Sequence, residues 1–348
     1  MPKASPDDIA VFIQQALSGE TDKVIYAVTK GKLVTVNTVD PQGNHALGAA
    51  ACGGHLELVR RLVELSAPLE LKNAIGTSPL WLAAGYGHAD VLEYLIGRKA
   101  DVNMPNSTKD TPMLAAVSKG HIACMALLVR AGARHLTVND AGDSPLSLAA
   151  AQGSLEGVEL LLPLPGTPAL LKKKNAKGVH PLAVATTGGH VEMLRRMITA
   201  GGDLRATDEN GCTPLALAAW CGHSELVALL LGEGGAPLEG VELECEDSSG
   251  ATPLWLAAAA GHADVVKQLL ARGAQPDVRP ELETGPTPYE AATKNGHAKV
   301  AALLEATGRV ASTEMAGSSD AAPPPAASSE LEGDLPPEEV EKLLIGGP

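Results

Sequence analysis

The stretch whose reading decides the fold runs from Gly250 to Ala271, GATPLWLAAAAGHADVVKQLLA. Thr252 is a good N-cap because its hydroxyl accepts from an N–H that the first turn leaves unpaired, and Pro253 suits the first helical position because the N–H it lacks has no partner there. Leu254, Ala257 and Ala258 fall at i, i+3 and i+4, giving one apolar face, and Gly261 is placed to end the helix. Beyond it, His262 and Asp264 sit at a second N-terminus, where a cap and a negative charge are favoured. Val265, Val266, Leu269 and Leu270 then form the apolar stripe of a helix closed by Gly273. Each helix has roughly 8 to 10 residues, below the ~12 to 15 at which an isolated helix is even marginal in water, so each needs neighbours.

Those neighbours are visible as self-similarity. Pro79, Pro112, Pro145, Pro181, Pro214, Pro253 and Pro288 each follow Ser, Thr or His, at spacings of 33, 33, 36, 33, 39 and 35 residues. Gly-His pairs keep the same step at His55, His88, His121, His190, His223, His262 and His297, with Gly153-Ser154 in the one remaining slot. The pattern resembles the ankyrin-repeat family, whose unit of about 33 residues reads G-x-TPLHLAA-x-x-GH-x-x-V-x-x-LL-x-x-GAD-x-N. Here it stands as TSPLWLAAGYGHADVLEYLIGRKADVN (77–103), CTPLALAAWCGHSELVALLL (212–231) and ATPLWLAAAAGHADVVKQLLARGA (251–274). The resemblance implies an all-α solenoid of stacked helix-turn-helix units with turn or hairpin fingers. Eight copies are expected over 40–308, at approximately 40–72, 73–105, 106–138, 139–174, 175–207, 208–246, 247–281 and 282–308. Departures are local: His45-Ala46 stands for Thr-Pro in the first copy, Lys109 for the turn glycine in the third, and the fourth loses its His and runs into LLPLPGTPALL.

Composition agrees with thin stacked layers. Hydrophobic residues make up 45% of the chain and aromatics only 2%, so the core is built of Leu, Val and Ala. Repeats that touch only their neighbours are expected to form one elongated unit. Residues 1–39 read as an N-terminal capping half-repeat: Asp7 or Asp8 is placed to cap a helix carrying Ile9, Phe12, Ile13, Ala16 and Leu17, and after Gly19 a second helix runs through Val24, Ile25 and Val28. Gln14, Gln15, Lys23 and Lys30 supply the polar outside that a terminal repeat needs. At the other end, TPYEAATKNGHAKVAALLEA (287–306) replaces the apolar middle with Glu290, Lys294 and Asn295, as expected of a C-terminal cap. From Arg309 the chain turns rich in Ala, Ser, Pro and acid, a composition that predicts disorder over 309–348. Within it, Pro337, Glu338, Glu339, Val340, Leu343 and Leu344 are spaced for a short amphipathic helix over 337–345, unfolded when free and helical when docked in a groove.

Charge and motif exclude several function classes. Of the net −14, the tail carries −6, eight acids against Arg309 and Lys342, which leaves −8 on residues 1–308. So acidic a chain repels phosphates unless it concentrates base, and only Lys172, Lys173, Lys174 and Lys177 do so; no nucleic-acid partner is expected. The absence of an apolar run of 18 residues and of a charged-then-apolar leader predicts neither membrane insertion nor secretion, and a cytoplasmic and/or nuclear location follows. Cys52, Cys124, Cys212, Cys221 and Cys245 are odd in number and without C-x-x-C spacing, which fits free thiols. Seven of the ten histidines hold one equivalent position in seven repeats, so they form a row and cannot converge on a metal or substrate; capping of the helix that follows is the expected role. His45 and His180 take the Thr position before a first helix. With no phosphate-cradling glycine loop before a Lys, no G-x-S-x-G and no H-E-x-x-H, the chain is expected to be no enzyme, with no catalytic or metal site and no cofactor.

Candidate contact residues come from two places. The family resemblance implies that the two residues before each Gly-His face a concave groove and vary with the partner. Most here are small or polar, among them Lys119, Gln152 and Lys294, while the rings of Tyr86 and Trp220 stand out as interface anchors. Trp81 and Trp255 replace the His of TPLH and are expected to pack between turns. The two long spacings hold insertions of opposite charge. PLPGTPALLKKKNAKG carries Lys172, Lys173 and Lys174, and GEGGAPLEGVELECEDSSG carries Glu242, Glu244 and Glu246, a segregation suited to steering a partner. The whole predicts a monomeric, non-enzymatic scaffold or adaptor that binds a protein through the groove and turn tips. Alternatives are an inhibitor with an acidic tail resembling the inhibitor-of-NF-kappa-B group, and an assembly chaperone or regulatory subunit resembling gankyrin.

Overall fold

A computed structural model of the chain describes residues 4–31, 33–232, 237–280 and 285–306. They fall into two compact units, the first running to Ala133 and the second starting at Arg134. The first holds α1 (Pro6–Leu17), α2 (Thr21–Thr29), α3 (Ala46–Cys52), α4 (Leu56–Glu64), α5 (Pro79–Gly85), α6 (Ala89–Gly97), α7 (Pro112–Ser118) and α8 (Ile122–Arg130). The second holds α9 (Pro145–Ala151), α10 (Leu155–Leu161), a 3-10 helix (Thr167–Lys172), α11 (Pro181–Thr187), α12 (Val191–Thr199), α13 (Pro214–Cys221), α14 (Ser224–Leu230), α15 (Pro253–Ala260), α16 (Ala263–Ala271), α17 (Pro288–Lys294) and α18 (Ala298–Ala306). In each unit the first helices of successive pairs pack in one row and the second helices in another: α1, α3, α5 and α7 beside α2, α4, α6 and α8, then α9, α11, α13, α15 and α17 beside α10, α12, α14, α16 and α18. The architecture is an all-α solenoid of stacked helix pairs.

Local chemistry sets each helix start. Ser78, Thr111, Thr213, Thr252 and Thr287 accept from the backbone N–H three residues on, at 3.2 to 3.4 Å, and each precedes a proline at the first helical position. These caps are buried, Thr252 at 1% exposure, because the neighbouring pair lies over them. An uncapped buried N–H there would cost about 1 to 3 kcal/mol. Leu254 and Leu269, assigned to the apolar faces of the two helices in 250–271, are fully buried, as are Leu47, Leu58, Leu80 and Leu92 in the first unit.

The fingers between pairs are turns held by Asx side chains. Asp40, Asn106, Asn175, Asp208 and Asp247 each use Oδ1 to accept from the N–H groups two and four residues on. Adjacent tips are linked by backbone bonds, Ala74 N–H to the Gln42 carbonyl at 2.7 Å, Ala176 to Ala141 at 2.8 Å and Ser248 to Asn210 at 2.8 Å. Among the described residues only the isolated Val39–His45 bridge has β character.

The Gly-His pairs work differently from the sequence expectation. His55, His88, His121, His190, His223 and His262 occupy N-cap positions, yet their side chains do not cap the helices that follow. In His55, His88, His121, His223, His262 and His297 the Nε2 instead donates back to the preceding pair. It meets a carbonyl at or beside the last residue of the inner helix: Leu17, Cys52, Gly85, Thr187, Trp220 and Ala259, at 2.7 to 3.1 Å. The last carbonyls of a helix have no intrahelical donor, and the histidine of the next repeat supplies one. Ser154, in the slot without histidine, caps its own helix, accepting from Gly157 N–H at 3.1 Å. At the N-terminus, Ser5 rather than Asp7 or Asp8 caps α1: Ser5 Oγ accepts from Asp8 N–H at 3.1 Å and the Asp8 carboxylate accepts from Ser5 N–H at 3.0 Å. The reciprocal pair satisfies two amides where Asp7 or Asp8 alone satisfies one, and the serine bond draws the Asp8 carboxyl below its ordinary range. Gln14, Lys23 and Lys30 are exposed as expected, but so are Val11 at 56% and Tyr26 at 66%. The expected tail and its helix over 337–345 lie outside the described residues.

The glycine of most pairs has two duties, a left-handed backbone and room for the next repeat's histidine ring. Gly261 has φ +84°, and a Cβ there would lie 2.5 Å from the His297 ring, whereas Gly296, at φ +79°, has nothing within 4 Å. Gly296→Ala is therefore expected to cost only the left-handed backbone term, about 1 to 2 kcal/mol. Gly261→Ala must also displace His297 from the Ala259 carbonyl, for about 1 kcal/mol more. Urea denaturation of the two variants checks this; equal losses would reject a packing role for the glycine.

Candidate functional site

The rows of inner helices bring the candidate contact residues to equivalent places, the helix ends. Tyr86 is the C-cap residue of α5, Lys119 that of α7 and Gln152 that of α9, while Trp220 is next to last and Lys294 last in α13 and α17. Lys119, Gln152 and Lys294 are exposed. The two rings are half-buried. Tyr86 packs with Leu17 and Trp81 against Cys52 and Leu82, and Trp220 packs with Val179 and Trp255 against Ala183, Cys212, Ala216, Leu217, Ala251 and Leu256. Part of each ring thus belongs to the seam between adjacent inner helices.

Trp81 and Trp255 have a role that periodicity does not reveal. Their indole Nε1 groups donate to the Asp110 and Pro286 carbonyls, at 3.1 and 2.8 Å, each immediately before the capping threonine of the next repeat. His45 and His180 reach the same region from a different position. His45 Nδ1 accepts from Gly48 N–H at 3.3 Å while Nε2 donates to the Leu71 carbonyl at 3.1 Å. His180 does the same with Ala183 N–H at 3.3 Å and the Ala206 carbonyl at 3.2 Å. A carbonyl only accepts, so each ring is the Nε2–H tautomer, and protonating Nδ1 would destroy the cap. Burial lowers the His45 pKa to about 4, against the Leu71 carbonyl and Asp40, which favour the cation. Burial also lowers that of His180, with Lys174 adding to it against Ala206, Asp208 and Asp203.

The two insertions stay separate in their bonding. Leu170 and Leu171 of the 3-10 helix are buried, which leaves Lys172, Lys173 and Lys174 exposed beyond them. Glu242, Glu244 and Glu246 are exposed; Glu242 pairs with Arg205 at 3.4 Å, and Glu244 accepts from Gln275 N–H at 2.9 Å. Partial desolvation of its carboxyl against the neighbouring finger raises the Glu244 pKa, the Gln275 bond opposing and Asp277 reinforcing it. Among the described residues no hydrogen bond or ion pair joins the three lysines to the three glutamates.

Burial pushes the Cys124 thiol up to about 11 and Cys212 up to about 12, with Asp90 adding to the first and Asp208 and Asp247 to the second, so neither is a ready nucleophile. Among the described residues no group of three or more His, Cys, Asp or Glu is placed to hold a metal ion, and no helix is long and apolar enough to cross a membrane.

A family model described as ankyrin repeats matches residues 12–106, 80–173, 164–239 and 236–312, an unbroken run over most of the chain. The chain belongs to the ankyrin-repeat family. That family is not associated with catalysis, in keeping with the bonding roles of its histidines. No curated protein matches the chain. Its departures from the repeat pattern therefore have to be read from its own geometry, and His45 is the most informative. Its pKa is depressed on folding, so the stability it contributes is fully present above its unfolded value near 6.5 and is lost as pH falls toward 4, roughly 3 kcal/mol at most. His45→Thr, which supplies the cap used by other repeats, is expected to show a smaller loss of stability between pH 7.5 and 4.5 than the parent, measured by urea denaturation.

Proposed function

We propose that this ankyrin-repeat chain is a non-enzymatic scaffold or adaptor that binds a protein across the ends of its inner helices. One observation carries the proposal. The residues that repeat, the Thr or Ser cap, the proline, the leucines, the glycine and the histidine, are consumed in burial or hydrogen bonds within the stack. The exposed residues at the inner-helix ends, such as Lys119, Gln152 and Lys294, differ from repeat to repeat. A surface that varies on a scaffold that does not is suited to specific recognition rather than to structure. Tyr86 and Trp220 contribute their exposed edges as rigid aromatic area, and the lysine and glutamate insertions orient the partner through their opposite charges. The alternatives resembling the inhibitor-of-NF-kappa-B group or gankyrin differ in what they bind, and the same capture experiment distinguishes them.

Affinity capture with mass spectrometry, on the full chain and on Lys119→Glu, Gln152→Ala and Lys294→Glu variants, tests the proposal. Each exposed variant is expected to retain the parent melting temperature and to lose captured protein. Trp220→Ala is expected to lose both, with a stability cost of about 2 to 3 kcal/mol because half the ring is in the seam. Unchanged capture by all three exposed variants would place the binding surface elsewhere.

A further inference from the structure

Among the described residues of the second unit, the large apolar side chains left exposed are Leu136 and Val138, at 43% and 42%. They alternate with half-buried Thr137 and Asn139 in the segment that enters the first finger of the unit. The lysine insertion runs beside this segment and is held to it at both ends. His135 Nε2 donates to the Pro165 carbonyl at 3.0 Å, and the Leu136 side chain lies against Gly166, where an added Cβ would be 3.0 Å away. Ala176 N–H donates to the Ala141 carbonyl at 2.8 Å, and Asn175 Nδ2 to Asp143 Oδ1 at 2.9 Å. Between these anchors stand the exposed Lys172, Lys173 and Lys174. Two exposed apolar side chains and three cations thus stand on adjacent fingers whose tips are hydrogen-bonded.

We propose that this pair of fingers is the docking site for the chain's own C-terminal segment 334–345, DLPPEEVEKLLI. The segment offers the complement. Asp334, Glu338, Glu339 and Glu341 stand against Lys342 alone, and Leu335, Val340, Leu343, Leu344 and Ile345 provide the apolar side chains. The last described helix ends at Ala306, so 27 residues, 307–333, lie between it and the segment. A chain of that length reaches roughly 90 Å when extended and has a root-mean-square span of roughly 30 Å when flexible. The finger beside α9 is four inner-helix steps from α17, roughly 40 Å at the usual 8 to 10 Å per packed helix, which is within reach. Tethering raises the effective concentration of the segment toward millimolar, so a weak contact of two or three apolar side chains and a few ion pairs suffices for occupancy. An external acidic protein must then displace the tail before it can use the lysines, which makes the tail a built-in competitor. This holds whether or not the inner-helix ends bind a partner.

Amide hydrogen exchange on the full chain tests the proposal. Exchange in 334–345 is expected to be slowed about tenfold at low salt relative to an unstructured reference, and the slowing is expected to vanish above about 0.5 M salt and in the K172E/K173E/K174E chain. Leu136→Ser is expected to reduce it without altering the salt dependence. Adding E338K/E339K/E341K to the lysine-reversed chain is expected to restore it. Exchange in Pro253–Ala260, read in the same experiment, reports whether a variant still folds; where it does not, the salt series on the parent decides. Fast exchange of the segment in the parent at low salt, or protection that survives lysine reversal, would overturn the proposal. Protection that grows with protein concentration would overturn it too, by placing the segment on a second copy.

Discussion

In six repeats the imidazole of the Gly-His pair donates to a carbonyl at the end of the preceding inner helix, a bond that crosses from one repeat to the next. An inner helix of seven or eight residues makes few internal hydrogen bonds, and its final carbonyls have none. Its N-terminus is closed from within by Thr, Ser or His; at its C-terminus the amides of its own turn close all but one of the last carbonyls, and that one is met by the next repeat. A single repeat is thus incomplete by its own hydrogen-bond inventory, quite apart from the apolar face it would expose. The tryptophans at 81 and 255 add a second crossing bond, which ties the start of one inner helix to the turn that begins the next. Stability in such a stack is a property of interfaces between repeats, and a substitution acts mainly on its own pair and the adjoining ones.

Much of this was legible in the sequence because the signals are local and repeated. Thr-Pro before a run of Leu and Ala defines a capped helix start, glycine defines its end, and agreement over many copies turns weak local signals into a fold. What periodicity did not reveal was direction. A histidine at an N-cap position reads as a cap of its own helix, yet the geometry after a left-handed glycine points its ring to the previous repeat. The same holds for Ser5, where the reciprocal pair with Asp8 prevails over the nearer acids. The candidate contact residues were legible as positions but not as environments. Sequence register places Tyr86 and Lys119 alike, and only packing shows that the ring shares a seam with Cys52 and Leu82 while the lysine is exposed.

His45 and His180 show how one residue substitutes for another without changing the fold. Threonine caps with a hydroxyl and stops there. Histidine caps with Nδ1 and has Nε2 left over, and in both cases the structure uses it, on the Leu71 and Ala206 carbonyls. The gain is a second bond; the cost is a titratable group inside the stack, held neutral by burial. Proton uptake therefore opposes the folded state at these two repeats in a way that a threonine cap does not, so the substitution ties the stability of individual repeats to pH.

The places where this chain departs from the repeat are where its individuality has to lie. A solenoid of like units presents like surfaces, and a partner that reads only the repeated residues would have no preferred register along the stack. Register requires asymmetry, and here it comes from the insertions, one basic and one acidic, and from the unequal residues at the inner-helix ends. Under the proposed function, opposite charges at separate fingers would orient a dipolar partner before short-range contacts form, an influence that at physiological ionic strength extends over about 8 Å from each loop. The half-buried rings of Tyr86 and Trp220 complement this at short range. Anchored in the seam, they would lose little side-chain entropy on binding under the proposed function, so what they leave exposed would contribute to recognition at low conformational cost.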